Sequence, residues 1–539
     1  MMKSFKYIAL SACAVMSLGS CNDFLDKLPD DRAEIDTEEK VTQLLASAYV
    51  TSAGNLMQEM SSDNVSDYSS TYTTSTLIDE VYRFKNIDDQ GHDSPYMVWN
   101  AGYNAVATAN EAIRAMEEMG NPASMKAQMA EAKLCRAYAM FMMANTFCMA
   151  WNPDMADEYL GLPYPTKPET SVDVKHERGT LRELYDKINK DIEEALPDVD
   201  DNLYSVPKYH FNRAAAYAFA ARFNLYYLND DKCIEYANKV LGNDPKTVMR
   251  DFEPYTQFGA MDIGNRYIKT SENANLLLIS YYSILGRTFQ GQFPRFNHNS
   301  SMAQYETFWA EAPWGAGSSS NTLYYANMLY GSNPCVIFPK MLEQFEYTDK
   351  LAGTGFVHTI DPVFTGDETL LCRAEAYIRK GDFDKGIADM NTWIETHCKE
   401  TVVDDETGEI KAERPVLTLE NIKAFIDELD IAPVTPEINS ERTIRKQMHP
   451  QGFTINADQE AVLQILLHMR RLESLYQGLR FIDIKRYGIA FSHIVRGEEP
   501  LPFNDNNDYL YNGVPGADKR GAIQLPDDVI NAGLEANPR

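Results

Sequence analysis

Two stretches constrain the fold of this chain most: "NRAAAYAFAARFNLYYLNDDKCIEYANKVLG", beginning at Asn212, and "LLCRAEAYIRKGDFDKGIADMNTWIETHC", beginning at Leu370. Each reads as a helix, a tight turn and a second helix. In the first, Ala221, Cys233 and Ala237 stand 12 and 4 positions apart, and in the second Ala374, Gly386 and Met390 keep the same intervals. Small residues at this spacing let the two helices of a hairpin approach closely, and such a unit cannot bury its apolar face alone. A chain that carries it twice is expected to stack hairpins into a helical scaffold.

The recurrence resembles the tetratricopeptide pattern. Other segments extend it. "YMVWNAGYNAVATANEAIRAMEEMG" and "PASMKAQMAEAKLCRAYAMFMMANTFC" read as an antiparallel pair, with Gly120-Asn121-Pro122 as stop, turn and restart. "RGTLRELYDKINKDIEEALPDV" is a further helix, and "DTEEKVTQLLASAYVTSAGNLMQEM" reads as one helix capped by Asp36 or Thr37. "QEAVLQILLHMRRLESLYQGLRFIDIKRYG" reads as a single last helix. Periodicity is lost over 61–95, 251–335 and 400–450, and long segments of that kind in a compact protein are functional or disordered.

The amino terminus is of another character. Lys3 and Lys6 precede a short apolar run, Tyr7 to Leu18, too short to span a bilayer and ordered like a secretory signal. Leu18-Gly19-Ser20-Cys21 resembles a bacterial lipoprotein signal, in which the cysteine is acylated and becomes the first mature residue; the competing reading is an ordinary secretory signal with a coincidental cysteine. Several acyl chains give stable anchoring, so Cys21 is the expected membrane anchor, and the acidic residues after it are the expected tether. The net charge of −29 repels nucleic acid and anionic headgroups. Cys135, Cys148, Cys233, Cys335, Cys372 and Cys398 form no CxxC pair and no zinc spacing; they are expected to be free, buried thiols.

The pieces together resemble the SusD/RagB-like outer-membrane nutrient-binding lipoproteins of Bacteroidetes. The lipobox with "CNDFLDKLPD", "WNAGYNAVATANEAI" from Trp99, "AEAKLCRAYAM", "RGTLRELYDKINKDIEEAL", "CRAEAYIRKGDFDKGIADMN", "RRLESLYQGLRFIDIKRYG" and the closing "LPDDVINAGLEANP" carry the resemblance in order along the whole chain. The sequence departs from the family's usual glutamate-glycine phrasing in the last helix and lacks its final Pro-Gly-Tyr. The resemblance implies a mainly α fold, with tetratricopeptide-like hairpins as scaffold and an irregular, loop-rich ligand-binding lobe. The expected division is a signal peptide at 1–20, a lipidated tether at 21–35 and a single SusD-like domain at 36–539. Within that domain, hairpins are expected at about 96–245 and 366–490 and the binding lobe at about 251–365 and 400–450. The resemblance further implies a surface-exposed lipoprotein of the outer membrane that captures oligosaccharides and passes them to a SusC-like TonB-dependent transporter. It implies no catalysis by this protein; no cofactor is expected, and no residue spacing marks a metal site.

Three other functions compete: a peptide-capturing lid of the same architecture, a tetratricopeptide adaptor, and a glycoside hydrolase. Hydrolysis needs two carboxylates at set separation, and with 79 Asp and Glu residues such pairs carry no information. No GxSxG, HExxH or phosphate-cradling glycine loop occurs, and His92, His298 and His358 read as surface loop residues. Arg470, Arg471, Glu473, Arg480, Asp483 and Arg486 cluster, with Arg480, Asp483 and Arg486 at three- and four-residue spacings, and read as a partly buried ion-pair network that locks the last helix to the hairpins, with ligand contact as the competing reading. Sugars stack on flat aromatic faces and hydrogen-bond to amides. The expected ligand-binding set is therefore Tyr68 and Tyr72 in the first loop; Trp309, Trp314, Tyr324 and Tyr325 in the second; and Asn297, Asn299 and Asn321 beside them, with Gln304 nearby. Trp309 and Trp314 are the expected stacking surfaces, and Trp99 is expected in the core.

Overall fold

The computed structural model describes residues 35–169, 176–291, 294–331 and 335–539. The expected signal at 1–20, the anchor Cys21 and the tether up to residue 34 lie outside the described residues.

Helices α1 (Glu38–Leu45) and α2 (Asn55–Met60) open the described chain, α1 capped by the Thr37 hydroxyl accepting from the Lys40 amide. The single helix expected here is interrupted between them. Within the 61–95 loop lies α3 (Thr76–Tyr82), capped by Ser75; it buries Leu77, Ile78, Val81 and Tyr82. It is under two turns long, too brief for its period to show in the sequence.

The scaffold follows. Helix α4 (Pro95–Glu118) and α5 (Lys126–Phe147) are the expected antiparallel pair. Gly120 (φ 81°) and Asn121 (φ 52°) make the left-handed turn. Their backbones pack closely: a Cβ on Gly102 would stand 2.3 Å from Met143 Sδ. Trp99 packs on Phe147 and Tyr103, half-buried against the core as expected. Helix α6 (Leu181–Ala195) starts with a capping box between Thr180 and Glu183. Helices α7 (Arg213–Tyr226) and α8 (Asp230–Leu241) form one hairpin.

Short helices α9 (Ala260–Tyr267), α10 (Leu285–Gln290) and α11 (Ser300–Tyr305) lie in the segment expected to be irregular. So do β1 (Ser66–Asp67) paired with β3 (Phe296–Asn297), β4 (Gly315–Ala316) paired with β5 (Ser320–Asn321), and an antiparallel sheet in the order β2 (Asn275–Tyr281), β7 (Thr354–Thr365), β6 (Glu343–Asp349). Strand β7 runs straight into α12 (Gly366–Arg379), which pairs with α13 (Phe383–His397) as the second hairpin. The small residue does here what its spacing implied: a Cβ on Gly386 would stand 2.4 Å from Ile378 Cδ1 and 3.1 Å from the Ala374 carbonyl. Helix α12 contacts α7, α8 and α13.

The 400–450 segment is more regular than expected. It holds a hairpin of β8 (Thr401–Val403) with β9 (Ile410–Glu413) and a helix, α14 (Leu419–Glu428), capped by Thr418 and Asn421 and buried only at Ile422 and Ile426. The last helix is two: α15 (Ala457–Glu473) and α16 (Leu479–Tyr487). Tyr476 (φ 68°) and Gly478 (φ 74°) break it in the left-handed region, so that α16 turns to pack on α2. A hairpin of β10 (Phe491–His493) with β11 (Leu501–Phe503), then α17 (Asp527–Asn531), complete the chain. The six described cysteines are free and buried.

Candidate ligand-binding face

Beneath the loops runs a buried charged lattice contributed largely by α15 and α16. Asp483 accepts from Arg470 Nε (2.9 Å) and Nη2 (3.2 Å) and from Arg486 Nη1 (2.8 Å). Arg486 also pairs with Glu375 of α12. Asp63 accepts from Arg480 Nε and Nη2, both at 2.8 Å, and its carbonyl accepts from Arg471 Nη2 at 2.6 Å. Glu306 accepts from Arg442 (2.8 Å), Lys446 (2.9 Å) and Arg471 (3.0 Å). All these carboxylates are under 6 % exposed. Burial alone would raise the Glu306 and Glu375 pKa values, yet Lys446, Arg471 and Arg442 around the first, and Arg486, Arg470 and Arg379 around the second, hold each at about 2. The arginine-rich stretch is thus a structural network, as its spacing implied.

The lattice fixes the loop at 61–75 from below. From the side, β1 and β3 pair Ser66 with Asn297 and Asp67 with Phe296. Arg295 grips Asp67 with two nitrogens at 3.1 and 2.8 Å, and the Arg496 amide donates to the same carboxylate at 3.0 Å. The Tyr68 amide donates to the Arg295 carbonyl and the Arg295 amide to the Thr73 carbonyl, both at 2.9 Å. A polar loop with no helical period is therefore tied down at both ends of its aromatic stretch. On it, the Tyr68 and Tyr72 rings meet edge to face, centroids 5.0 Å apart, both half-buried. The Arg496 guanidinium lies 6.0 Å over the Tyr68 ring. Desolvation and the neighbouring Tyr68 raise the Tyr72 phenol pKa, so it stays a neutral hydroxyl. Two flat apolar rings, a hydroxyl and a guanidinium at one partly open surface are the groups that hold a sugar ring: faces for its C–H groups, donors and acceptors for its hydroxyls.

The other expected contacts fall in two groups. Trp309 and Tyr324 are half-buried. The Trp309 indole is pinned by Nε1 donating to the Ala326 carbonyl at 3.0 Å. Tyr324 lies towards Asp251, Glu253 and Arg414. Gln304 is exposed on α11. The second group is in the core, contrary to expectation. Trp314 is 1 % exposed, stacked on His468 (5.6 Å, 8°) and packed on Trp393 (5.7 Å); a ring sandwiched in this way has no face for a ligand. Tyr325 is fully buried and donates to Glu473 Oε2 at 3.1 Å. The three asparagines are buried and hydrogen-bonded within the protein. Asn297 donates to the Pro294 carbonyl. Asn299 caps α11 and donates to Ser66 Oγ at 2.6 Å. Asn321 donates to the Phe308 carbonyl and accepts from the Leu323 amide. Arg295 and Arg496 were not anticipated: "FPRFN" and "IVRGEEP" contain no periodic or motif signal that sets either arginine apart.

His298 is likewise not on the surface. It is buried between the Val336 carbonyl and Thr307, and burial lowers its pKa to about 4. Among the described residues no group of three or more His, Cys, Asp and Glu side chains is arranged to hold a metal ion, and no helix is long and apolar enough to cross a membrane.

Residues 23–225, which include Asp63, Tyr68 and Tyr72, match the model of a SusD-like family described as starch-binding and associating with the outer membrane. That stretch, under half of the chain, is similar to the SusD-like family. The fold of the whole chain agrees. A putative sugar binding protein from Bacteroides vulgatus shares 16 % identity with a TM-score of 0.62, over 94 % of this chain and 99 % of that one. A SusD-like carbohydrate binding protein from the same species shares 14 %, with a TM-score of 0.60 over 92 % and 96 %. A SusD superfamily protein from Bacteroides thetaiotaomicron shares 15 %, with a TM-score of 0.57 over 93 % and 98 %. At these identities the likeness establishes the SusD-like fold, mainly helical with small sheets. No curated protein matches the sequence.

Proposed function

We propose that this protein captures neutral oligosaccharides at the outer membrane on the face formed by Tyr68, Tyr72 and Arg496, and passes them to a TonB-dependent transporter. The observation that carries the reading is the Tyr68–Tyr72 ring pair, held half-exposed by the Asp67–Arg295–Arg496 cluster. Rings fixed before the ligand arrives lose little entropy on binding. Trp309 offers a second, partly open ring on the neighbouring loop.

The family description supports a starch-like ligand and the outer membrane as its place. Acylation of Cys21 would supply the attachment, with the residues after it as the tether that lets a large helical body move over a transporter. Titration calorimetry with maltooligosaccharides tests the site: Tyr68→Ala/Tyr72→Ala is expected to lose at least tenfold in affinity. A double variant that binds like the wild type removes this face from consideration. Binding of peptide pools in place of glycans would assign the same fold to peptide capture.

A further inference from the structure

A second cleft lies on the helical scaffold, between the turn joining α4 to α5 and the outer side of α6. Its volume is about 710 Å³, within the roughly 300–1,000 Å³ typical of small-molecule sites. Its charge runs against the molecule. The chain has 79 acidic and 50 basic residues, but the cleft is lined by Lys126, Lys133, Arg136, Lys167, Lys187 and Lys190 against only Glu117, Asp191, Glu194 and Asp198.

The pairing inside the cleft leaves cationic charge over. Arg136 and Asp191 neutralise each other through two nitrogens at 2.7 Å, and Tyr164 also donates to Asp191, at 2.5 Å. Lys133 pairs with Glu194 at 2.8 Å, and Lys190 stands 3.8 Å from the same carboxylate. Lys126 stands 3.8 Å from Asp198. Lys167 and Lys187 make no ion pair among the described residues; both are exposed and line the opening. Glu117, also unpaired there, offsets one of these charges. Part of the wall is apolar: Met125 and Met129, the first buried and the second half-buried, line it with Ile113 and Met116, as does the Tyr164 ring. Ammonium groups over an apolar wall suit a ligand with an apolar ring face and fixed negative groups.

We infer that this cleft is a second binding site, for saccharides that carry carboxylate or sulfate groups. The anionic character follows from the cleft itself; the choice of a saccharide over another anion rests on the carbohydrate reading above. The strongly acidic remainder of the surface would repel such a ligand, so the site would also orient it.

Calorimetry on the whole protein tests this with three probes: tetragalacturonate, maltotetraose and inorganic sulfate. Lys167→Gln/Lys187→Gln changes two exposed side chains, and its unfolding temperature is expected to match the wild type. Tetragalacturonate affinity is expected to fall at least tenfold in this variant, to weaken in the wild type as salt is raised, and to be unchanged in Tyr68→Ala/Tyr72→Ala. Maltotetraose is expected to show the reverse dependence, so failure of one site does not mimic failure of the other. No tetragalacturonate binding by the wild type, equal binding by the lysine variant, or inorganic sulfate binding as tightly as the saccharide would each overturn the inference.

Discussion

Asp483→Ala isolates the contribution of the buried charge network. Asp483 is fully buried and accepts three hydrogen bonds, at 2.9, 3.2 and 2.8 Å, from Arg470 and Arg486. Removing one partner of a buried ion pair costs about 3–5 kcal/mol, because the remaining charge is left uncompensated. Here the loss belongs at the lower end. Arg470 keeps Glu368 and Glu375, each at 3.6 Å, and Arg486 keeps Glu375. For 539 residues, an unfolding entropy of ~2.1 cal/mol/K per residue gives about 1.1 kcal/mol/K, so a loss of about 3 kcal/mol lowers Tm by about 3 °C. Asp483→Asn keeps the shape and one acceptor and is expected to lose less. Thermal melts followed by circular dichroism, with calorimetry on the same samples, provide the readout. An unchanged Tm together with lost ligand binding would refute the reasoning and make the cluster a ligand site.

Three further outcomes follow from the geometry. Trp314→Ala is expected to cost about 3–5 kcal/mol in denaturant unfolding and to leave maltooligosaccharide affinity unchanged; weakened binding in a protein of normal stability would return Trp314 to the binding face. Gly478→Ala is expected to cost about 1–2 kcal/mol for the left-handed conformation alone. The new Cβ would also press on Gln58 Oε1, 2.7 Å away, and wild-type stability in chemical denaturation would contradict this. Glu306, Glu375 and Glu473 are each held near pKa 2, the last by His397 and Lys340 against its burial. Because the folded values lie below the unfolded ones, their stabilisation is complete above about pH 4.5 and is lost as pH falls towards 2. One such carboxylate accounts for on the order of 3 kcal/mol; melts that do not change between pH 6 and pH 3 would speak against it.

The scaffold was legible in the sequence because its signals are local. Gly386 sits where two helices touch, Gly120 and Asn121 close a turn, and Thr180 with Glu183 starts a helix. Helix α3 was missed because it is under two turns long, and α14 because its helical period (Leu419, Ile422, Phe425 and Ile426, behind the Thr418 cap) lies inside a charged, Pro-containing segment that reads as irregular. The break between α15 and α16 was hidden because "RRLESLYQGLRFIDIKRYG" keeps helical spacing across it; Gly478 was its only mark. The site was legible in part. The polarity of the 61–75 loop singled out Tyr68 and Tyr72, which do lie half-open. What decides Trp314 is Trp393 and His468, which reach it from α13 and α15. No local pattern encodes that meeting, so a tryptophan in a Gly/Ser-rich loop and a tryptophan in the core look alike in sequence. Arg295 and Arg496 belong to the same class: only the shared carboxylate of Asp67 brings them together.

The Tyr68–Tyr72 face is the proposed seat of the glycan. Its most direct test is titration of maltooligosaccharides into the wild type and Tyr68→Ala/Tyr72→Ala, with melts run in parallel. A ring stacked on an aromatic side chain contributes on the order of 1–3 kcal/mol where the ligand is a base; with a comparable contribution from a sugar face, the double variant is predicted to bind at least tenfold more weakly while melting close to the wild type. Equal affinity in both proteins would contradict the account.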